Sequence, residues 1–240
     1  MQNTSENQLS ERKKESYKIF DDIAGTYDPL NRFLSFGIDV YWRNRMKNEL
    51  PKKSDLTILD LATGTADVPL ILIKNKNVSR IRGLDMSKNM IAIGKEKIKA
   101  KNLQEKITLD IGDGCNLPEE NDSWDVTTVS FGIRNFPDCL KGLQEMHRIL
   151  KPGGQVMVME FSLPANAFIR AFYLFYFRKV LPFIGNLFSG HGDAYSYLNK
   201  TVEDFPYGKE FLNLMDKANF RNTRAITLTF GIATLYIGEK

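Results

Sequence analysis

The feature that most constrains the fold is a regular alternation of short apolar runs and amphipathic segments between residues 57 and 161. Short apolar runs bounded by turn residues predict buried strands, and the segments between them predict helices. Such an alternation predicts a parallel sheet with helices on both faces. The predicted strands are Thr57–Ala62, Ile81–Asp85, Lys106–Ile111, Trp124–Ser130 and Gln155–Phe161; the predicted helices are Val68–Lys74, a segment capped by Ser87 that runs to about Ala100, and Pro137–Leu150.

The alternation stops after Ser162 and resumes about forty residues later, which predicts a lid insertion at about 163–206. A helix at Phe211–Ala218 is then expected, followed by a hairpin of Arg224–Phe230 and Ala233–Ile237 that forms an antiparallel edge of the sheet. At the other end, residues 1–19 are expected to be a flexible arm, and residues 20–240 a single domain. Two further breaks are predicted, one at Asp28–Pro29 and one at Lys151–Gly154.

Composition excludes several classes of protein. Apolar residues make up 42% and charged residues 26% of the 240 positions, the usual range for a globular protein and outside that of a disordered chain or a collagen-like fibre. The net charge of +4 is spread along the chain, so no nucleic-acid partner is expected. Two cysteines and two histidines predict neither a disulfide framework nor a metal site, and a cytoplasmic location follows from the missing signal peptide.

One aromatic segment, 168–188, raises the question of a membrane. Arg170, Arg178, Lys179 and Pro182 interrupt it, whereas a membrane-spanning helix needs roughly 20 apolar residues. The segment is therefore expected to lie on a membrane surface, to line an apolar pocket, or to cover the core. Peripheral contact with the inner face of the membrane stays open, and so does a homodimer.

Acidic residues follow three successive predicted strands, and this pattern indicates the ligand. Gly64 occupies the first turn between Asp60 and Asp67, without the glycine-rich diphosphate cradle that a nicotinamide cofactor requires. Asp85 ends the second strand, where an acid can bind both ribose hydroxyls. Asp113 and Gly114 follow the third, where a carboxylate can accept from an adenine amine. A single acid in such a place is usually a helix cap, but three favour a cationic adenosyl ligand, S-adenosylmethionine, in a Rossmann-like class I methyltransferase.

Several motifs resemble a known family, the C-methyltransferases of menaquinone and ubiquinone biosynthesis. The resemblance rests on residues 20–31, 35–37, 42–43, 130–135, 147–154 and 160–162, and it extends over nearly the whole chain from Phe20. Those enzymes methylate a ring carbon of a prenylated quinol. One departure is Ala66, where the family usually has glycine; its methyl group is expected to crowd the methionine end of the ligand slightly without preventing binding.

The resemblance implies a set of site residues. It implies cofactor contacts at Thr65, Asp85, Asp113, Gly114 and Ser130. For the reaction it implies Arg134 and Asn135, with Tyr27 as a helper. A guanidinium near the phenolic oxygen would stabilise the developing oxyanion, and a water held by Tyr27 and Asn135 would take the proton.

The implied reaction is methylation of demethylmenaquinol to menaquinol, with S-adenosylmethionine as methyl donor, no metal and a prenylated quinol as the partner molecule. Methylation of a polyprenyl benzoquinol, or of another small molecule, stays open. The missing diphosphate loop disfavours a nicotinamide-dependent oxidoreductase. A silent adenosyl-binding or lipid-carrying protein is the remaining alternative.

Overall fold

A seven-stranded sheet forms the centre of the computed structural model, which describes residues 13, 15–180, 199 and 201–240. The strand order is β3-β2-β1-β4-β5-β7-β6. The first five strands are parallel, and β7 runs antiparallel to both β5 and β6. The strands are β1 (Leu56–Leu61), β2 (Val78–Asp85), β3 (Ile107–Ile111), β4 (Trp124–Ser130), β5 (Leu150–Phe161), β6 (Arg221–Leu228) and β7 (Ala233–Glu239). The predicted mostly parallel sheet with an antiparallel C-terminal edge is confirmed.

Helices cover both faces of this sheet, as the alternation predicts. The described helices are α1 (Ser16–Leu34), α2 (Ile38–Asn48), α3 (Asp67–Leu72), α4 (Lys88–Ala100), α5 (Cys139–Ile149), α6 (Ala167–Phe175) and α7 (Lys209–Lys217). Apolar side chains of α2, α3 and α4 pack in one core cluster, which Leu56 and Ile58 of β1 join. Side chains of α5 and α7 pack in the other, which Leu59 and Leu61 join. Because successive strand residues point to opposite faces, β1 contributes to both clusters.

Helix starts follow the expected capping chemistry. The Ser87 hydroxyl accepts from the backbone N–H of Met90 at the start of α4, as predicted. Asp138 caps α5 in the same way, through the N–H of Lys141. The helix stop predicted at Lys151–Gly154 is confirmed, since α5 ends at Ile149, but these residues also belong to β5, which begins at Leu150 with a pairing to Trp124.

Helix α1 departs most from the sequence prediction. The break at Asp28–Pro29 is wrong, because α1 continues through Pro29 for 19 residues. A proline inside a helix removes one backbone hydrogen bond. Tertiary packing opposes that loss, since Leu30 and Leu34 are buried against Tyr173 and Phe177 of the insertion. The helix therefore continues through the predicted break and packs against the lid.

The lid insertion begins with α6, which is followed by a π-helical turn, Tyr176–Val180. No helix in the described part of the chain combines the length and apolar character needed to cross a bilayer. The predicted arm up to residue 12 and the insertion from 181 to 198, His191 included, lie outside the described residues.

Candidate active site

A cavity of about 210 Å³ lies at the carboxyl ends of β1, β2 and β4, the edge where sheets of this type bind ligands. Seven of the residues predicted from the sequence line it together. They are Tyr27, Gly64, Asp85, Asp113, Gly114, Ser130 and Asn135. Because they come from separate loops and from α1, only the folded sheet brings them into one wall.

Gly64 forms the open floor of this cavity, termed the polar cavity below. Its φ is +54°, in the left-handed region that glycine adopts without steric cost. A Cβ atom built at Gly64 would meet no heavy atom within 4 Å, so the backbone here is free for close approach by a ligand. The Gly64 N–H donates to Oδ2 of Asp85 at 2.8 Å, which joins the first turn to the end of β2.

Asp85 is held by the backbone on both oxygens. In addition to Gly64, the Ser87 N–H donates to Oδ1 at 2.8 Å. Burial raises the pKa of Asp85, while these backbone donors favour its charged form. Each carboxylate oxygen has a further lone pair, so the fixed side chain can still accept from two vicinal hydroxyl groups.

Gly114 is fixed by packing against an aromatic wall. A Cβ atom there would lie 2.4 Å from the ring of Phe136, which itself lines the polar cavity. Asp113 beside it turns Oδ1 back to the N–H of Cys115, at 2.8 Å, and stays exposed at the cavity. A side chain at position 114 would therefore collide with the Phe136 ring.

Two polar atoms of the polar cavity are buried without a hydrogen-bond partner among the described residues. They are the Ser130 hydroxyl oxygen and the Asn135 amide oxygen. Buried polar groups are normally hydrogen-bonded, so these two atoms fit a polar ligand. Two carboxylates, a hydroxyl, an amide and an open glycine turn are the donor and acceptor set that an adenosyl ligand requires.

Thr65 and Ala66 lie outside the wall of the polar cavity. The buried Thr65 hydroxyl donates to Oδ1 of Asp28 at 2.6 Å and accepts from Lys97, and its side chain is not part of the polar cavity wall. Ala66 is fully buried near Gly94 of α4 and lines neither of the two cavities described here. The crowding predicted for the Ala66 methyl group is therefore wrong, because this turn directs the methyl group into the core.

A second, apolar cavity of about 310 Å³ adjoins the first. Its wall is built from α1, α2, α6 and the turn after α6, with many aromatic and aliphatic side chains. Phe20, Tyr27 and Phe131 line both cavities, so the two spaces meet at these three residues. A polar ligand space and an apolar ligand space thus share a boundary.

Arg134 is one of the buried charged residues that line the apolar cavity. It is only 4% exposed, donates to Oε1 of Glu160 at 2.8 Å and to the Phe131 carbonyl, and its guanidinium carbon lies 5.4 Å from the Phe161 ring centroid. Glu160 itself is fully buried. The sequence prediction did not give Glu160 a role, although the residue stands in the quoted motif 160–162.

The three residues predicted for the reaction gather at the boundary between the cavities. Arg134 lines the apolar cavity, Asn135 lines the polar one and Tyr27 lines both. Burial raises the pKa of Tyr27, and the charges of Arg134 and Arg43 act in the opposite direction. The phenol of Tyr27 is therefore a neutral hydrogen-bonding group at physiological pH.

An ionic cluster, not predicted from the sequence, fixes α1 and α2 to the first turn of the sheet. Lys97 of α4 donates to Asp28 at 2.9 Å and to Asp67 at 2.5 Å. Arg43 contacts both Asp67 and Asp39, and Arg32 also reaches those two carboxylates. The members of this cluster lie far apart in the chain, so no local sequence pattern predicts that they meet. The cluster holds the wall shared by both cavities against the Gly64 turn.

Comparisons with known proteins agree with this geometry. A model described as the ubiE/COQ5 methyltransferase family matches residues 7–240. The ubiquinone/menaquinone biosynthesis C-methyltransferase UbiE of Geotalea daltonii is 43% identical and covers 97% of this chain and 99% of its own length. Demethylmenaquinone methyltransferases of Bacteroides fragilis and Thermus thermophilus are 39% and 40% identical, over 93% and 92% of this chain and 91% and 100% of theirs.

Solved structures show the fold class. A SAM-dependent methyltransferase from Thermotoga maritima superposes with a TM-score of 0.67 at 20% identity, covering 93% of this chain and 99% of that one. A SAM-dependent methyltransferase from Aquifex aeolicus gives 0.57 at 15% identity, over 82% and 88%. The predicted Rossmann-like class I methyltransferase fold is confirmed.

Proposed function

Because this chain belongs to the ubiE/COQ5 methyltransferase family, we propose that it methylates a ring carbon of a prenylated quinol, converting demethylmenaquinol to menaquinol. The observation that carries this proposal is the pair of adjoining cavities, one polar and one apolar, that meet at Phe20, Tyr27 and Phe131. Methyl transfer to an apolar acceptor needs this arrangement. The methyl donor and the acceptor must be in contact, while the rest of the donor lies in polar surroundings and the rest of the acceptor in apolar ones.

The polar cavity is the space for S-adenosylmethionine, which supplies an electrophilic methyl carbon when bound. Asp85 would hold the two ribose hydroxyls, and Asp113 would accept from the adenine amine. The unpartnered Ser130 hydroxyl and Asn135 amide oxygen would complete the polar contacts. The open turn at Gly64 lets this ligand lie against the backbone.

Arg134 would activate the quinol ring. Its guanidinium is held by Glu160 and the Phe131 carbonyl, so its direction is fixed before the substrate arrives. A fixed cation favours the phenolate over the phenol, and ionisation makes the ring carbon nucleophilic. Tyr27 and Asn135, on either side of the boundary, would hold the water that accepts the proton.

The exposed aromatic rim of the apolar cavity supports contact with a lipid surface, the environment of a prenylated quinol. Phe36 and Phe172 line this cavity and are 81% and 72% exposed, so they stand at its opening. Phe168 and Phe175 share a face of α6 with Phe172 and are exposed as well. Exposed Lys179 nearby would favour an anionic lipid surface. Large exposed apolar patches of this kind mark interaction surfaces.

Vesicle co-sedimentation would test the rim. Binding of the full chain to vesicles containing anionic lipid should fall sharply in the Phe168→Asp/Phe175→Asp variant. Equal binding of variant and wild type would contradict lipid contact. A concentration-dependent dimer that the same variant abolishes would identify a second copy of the chain as the occupant of the rim.

A direct assay would test the function itself. The protein is incubated with S-adenosylmethionine and chemically reduced demethylmenaquinone, and the quinone product is followed by mass spectrometry. We expect a product heavier by one methylene unit and a slower reaction with a polyprenyl benzoquinol. If neither quinol gained a methyl group while S-adenosylmethionine still bound, the quinol substrate would be wrong and another small-molecule acceptor would have to be sought.

A further inference from the structure

The lid helix α6 carries a buried hydroxyl whose purpose the fold alone does not explain. Tyr173 is only 7% exposed, and its hydroxyl has no hydrogen-bond partner in the described part of the chain. The ring is well packed, because it stacks on Phe177 at 5.2 Å between centroids and joins Leu30 and Leu34 of α1 in one apolar cluster. A phenylalanine would satisfy all of this packing, so the hydroxyl itself adds only a desolvation cost to folding.

Tyr173 shares the apolar cavity with two arginines, Arg43 and Arg134, whose Nε–H groups also lack a partner among the described residues. Arg43 is paired with carboxylates of the ionic cluster, whereas the charge of Arg134 acts on the Tyr173 hydroxyl. The lid has a contrasting tyrosine, Tyr176, whose hydroxyl donates to the Leu34 carbonyl at 2.9 Å. Of the two tyrosines described in α6 and the turn after it, Tyr173 therefore lacks a partner and Tyr176 has one.

The electrostatic surroundings keep the Tyr173 hydroxyl protonated, so that it can donate a hydrogen bond. Burial raises the pKa of Tyr173 above its ordinary value, and the charges of Arg134 and Glu160 both act on this hydroxyl. The phenol thus keeps its proton at neutral pH, close enough to Arg134 to feel its charge. A protonated phenol and a guanidinium N–H that both lack a partner, in one mainly apolar cavity, fit a substrate oxygen that becomes negative.

We propose that Tyr173 is a substrate-binding residue whose hydroxyl, together with Arg134, donates a hydrogen bond to the ring oxygen that ionises in the quinol substrate. The inference rests on the proposed function and deepens it, since it assigns the lid a direct part in activating the ring. A hydrogen bond that strengthens as charge develops lowers the barrier to methyl transfer more than it aids binding. The lid helix would thus contribute one of the two donors.

The Tyr173→Phe variant tests this proposal. We expect kcat to fall about 10²-fold, as for the loss of one oxyanion donor, with the Kd for S-adenosylmethionine unchanged. Activity should recover in part at higher pH, where more phenolate forms without help. The melting temperature should stay the same or rise, because the variant removes a buried hydroxyl that makes no bond.

Tyr236→Phe is the matched control. Tyr236 is fully buried outside both cavities, and its hydroxyl accepts from the Gly208 N–H at 2.7 Å. Removing this hydroxyl leaves a backbone donor unpaired, so the melting temperature should fall while kcat stays at the wild-type value. The two variants are therefore expected to show opposite patterns of activity and stability.

The possible results distinguish a failure of the Tyr173 proposal from a failure of the proposed function. If the wild-type protein methylates the quinol and the Tyr173→Phe variant does so at the same rate, the assignment of Tyr173 is overturned and the proposed function stands. A Tyr173→Phe variant with lower stability and normal kcat would also overturn it, since the hydroxyl would then be structural. Wild-type protein that methylates no quinol would overturn the proposed function and, with it, the quinol oxygen as the partner of Tyr173.

Discussion

At the scale of single residues, the side chains of the site are held by neighbours before any ligand arrives. Asp85 accepts from two backbone N–H groups, and Arg134 is paired with buried Glu160. Such groups do not have to reorganise when charge or hydroxyl groups appear beside them. The same bonds mean that a substitution here disturbs both the ligand and the fold, so the variants must separate the two effects.

Asp85→Asn should weaken S-adenosylmethionine at least about tenfold, because charge-assisted hydrogen bonds contribute roughly 1.5–3 kcal/mol each. Asparagine keeps one acceptor oxygen for the backbone donors, so the melting temperature should change less than in Asp85→Ala. Calorimetric titration measures the affinity. Asp122→Asn, an exposed carboxyl paired with Lys240 far along the chain, serves as the control. Unchanged affinity in a folded Asp85→Asn protein would refute the ribose assignment.

Arg134→Gln should lower kcat by about 10²–10³ with little change in cofactor affinity. Removing the guanidinium also strands the buried Glu160 carboxylate, at a cost of about 3–5 kcal/mol. The double variant Arg134→Gln/Glu160→Gln should recover the melting temperature without recovering kcat. Arg134→Lys should restore part of the rate, since lysine lacks the planar fork. Near-normal turnover in the glutamine variant would make Arg134 a structural residue.

At the scale of elements, α1 connects the two cavities. It packs on the lid through Leu30 and Leu34, contributes Phe20 and Tyr27 to the shared boundary, and is tied to the sheet by Asp28. Ion pairs at this depth are screened less than surface pairs, because Lys97, Asp28 and Asp67 keep only about a quarter of their side-chain exposure. The position of α1 therefore depends on charges from α3 and α4.

Lys97→Met should loosen α1 without unfolding the sheet. The variant removes the cation shared by Asp28 and Asp67 but keeps a long apolar stem. Hydrogen exchange of residues 16–34 should speed up, while the β1 and β4 amides stay protected. Lys95→Met, an exposed position on the same helix, is the matched control. If both variants exchanged like the wild type, the ionic cluster would have no part in holding α1.

Phe172→Asp should raise the KM for long-tailed quinols more than for tailless analogues. Phe172 lines the apolar cavity on α6, and a carboxylate there would penalise the burial of an isoprenoid tail. Ala171→Asp places the same charge on the neighbouring exposed position, which is not part of the cavity wall. Equal effects of Phe172→Asp on both substrates would favour α6 as a plain cover of the core.

At the scale of the whole molecule, the pH dependence of the free energy of unfolding depends on buried carboxyl groups, of which Asp60 is one. Asp60 is 1% exposed and accepts from the hydroxyls of Thr63 and Thr128. Burial raises the pKa of Asp60 to about 7. Between its ordinary pKa and that value, the folded chain keeps a proton that the unfolded chain loses. The contribution of Asp60 to stability therefore falls as pH rises through this window.

Asp60→Asn should accordingly be more stable than the wild type at about pH 8, and the difference should shrink as the pH falls to the ordinary carboxyl pKa of about 4. Asp125→Asn should show the opposite trend. Burial raises the pKa of Asp125, but bonds from Lys53, Thr57 and Lys151 outweigh it and hold the pKa below its usual range. Its contribution is thus present at neutral pH and lost as pH falls. Thermal unfolding at about pH 8 and about pH 3, on either side of the ordinary carboxyl pKa of about 4, measures each difference. A pH-independent Asp60→Asn difference would contradict the buried acid.

The sequence by itself determined the order of strands and helices and the residues at the strand ends. Both are local, since an apolar run of fixed length and a turn that follows it are read from neighbouring positions. Gly64, Asp85 and Asp113 were found in this way, Ser130 was implied by the family resemblance, and all four line the polar cavity. Their individual contacts with the ligand stay predictions.

Only the tertiary structure decided the path of α1 through Pro29, the burial of Ala66 and Thr65, the pairing of Arg134 with Glu160, and the burial of the unpartnered Tyr173 hydroxyl. Each depends on groups distant along the chain, as when Lys97 meets Asp28 across 69 residues. Tertiary packing overrides the local conformational preference of the chain at Pro29. The packing of α1 against the lid outweighs the single backbone hydrogen bond that this proline removes. The apolar cavity is likewise bounded by α1, α2 and α6, whose meeting no local pattern in the sequence encodes.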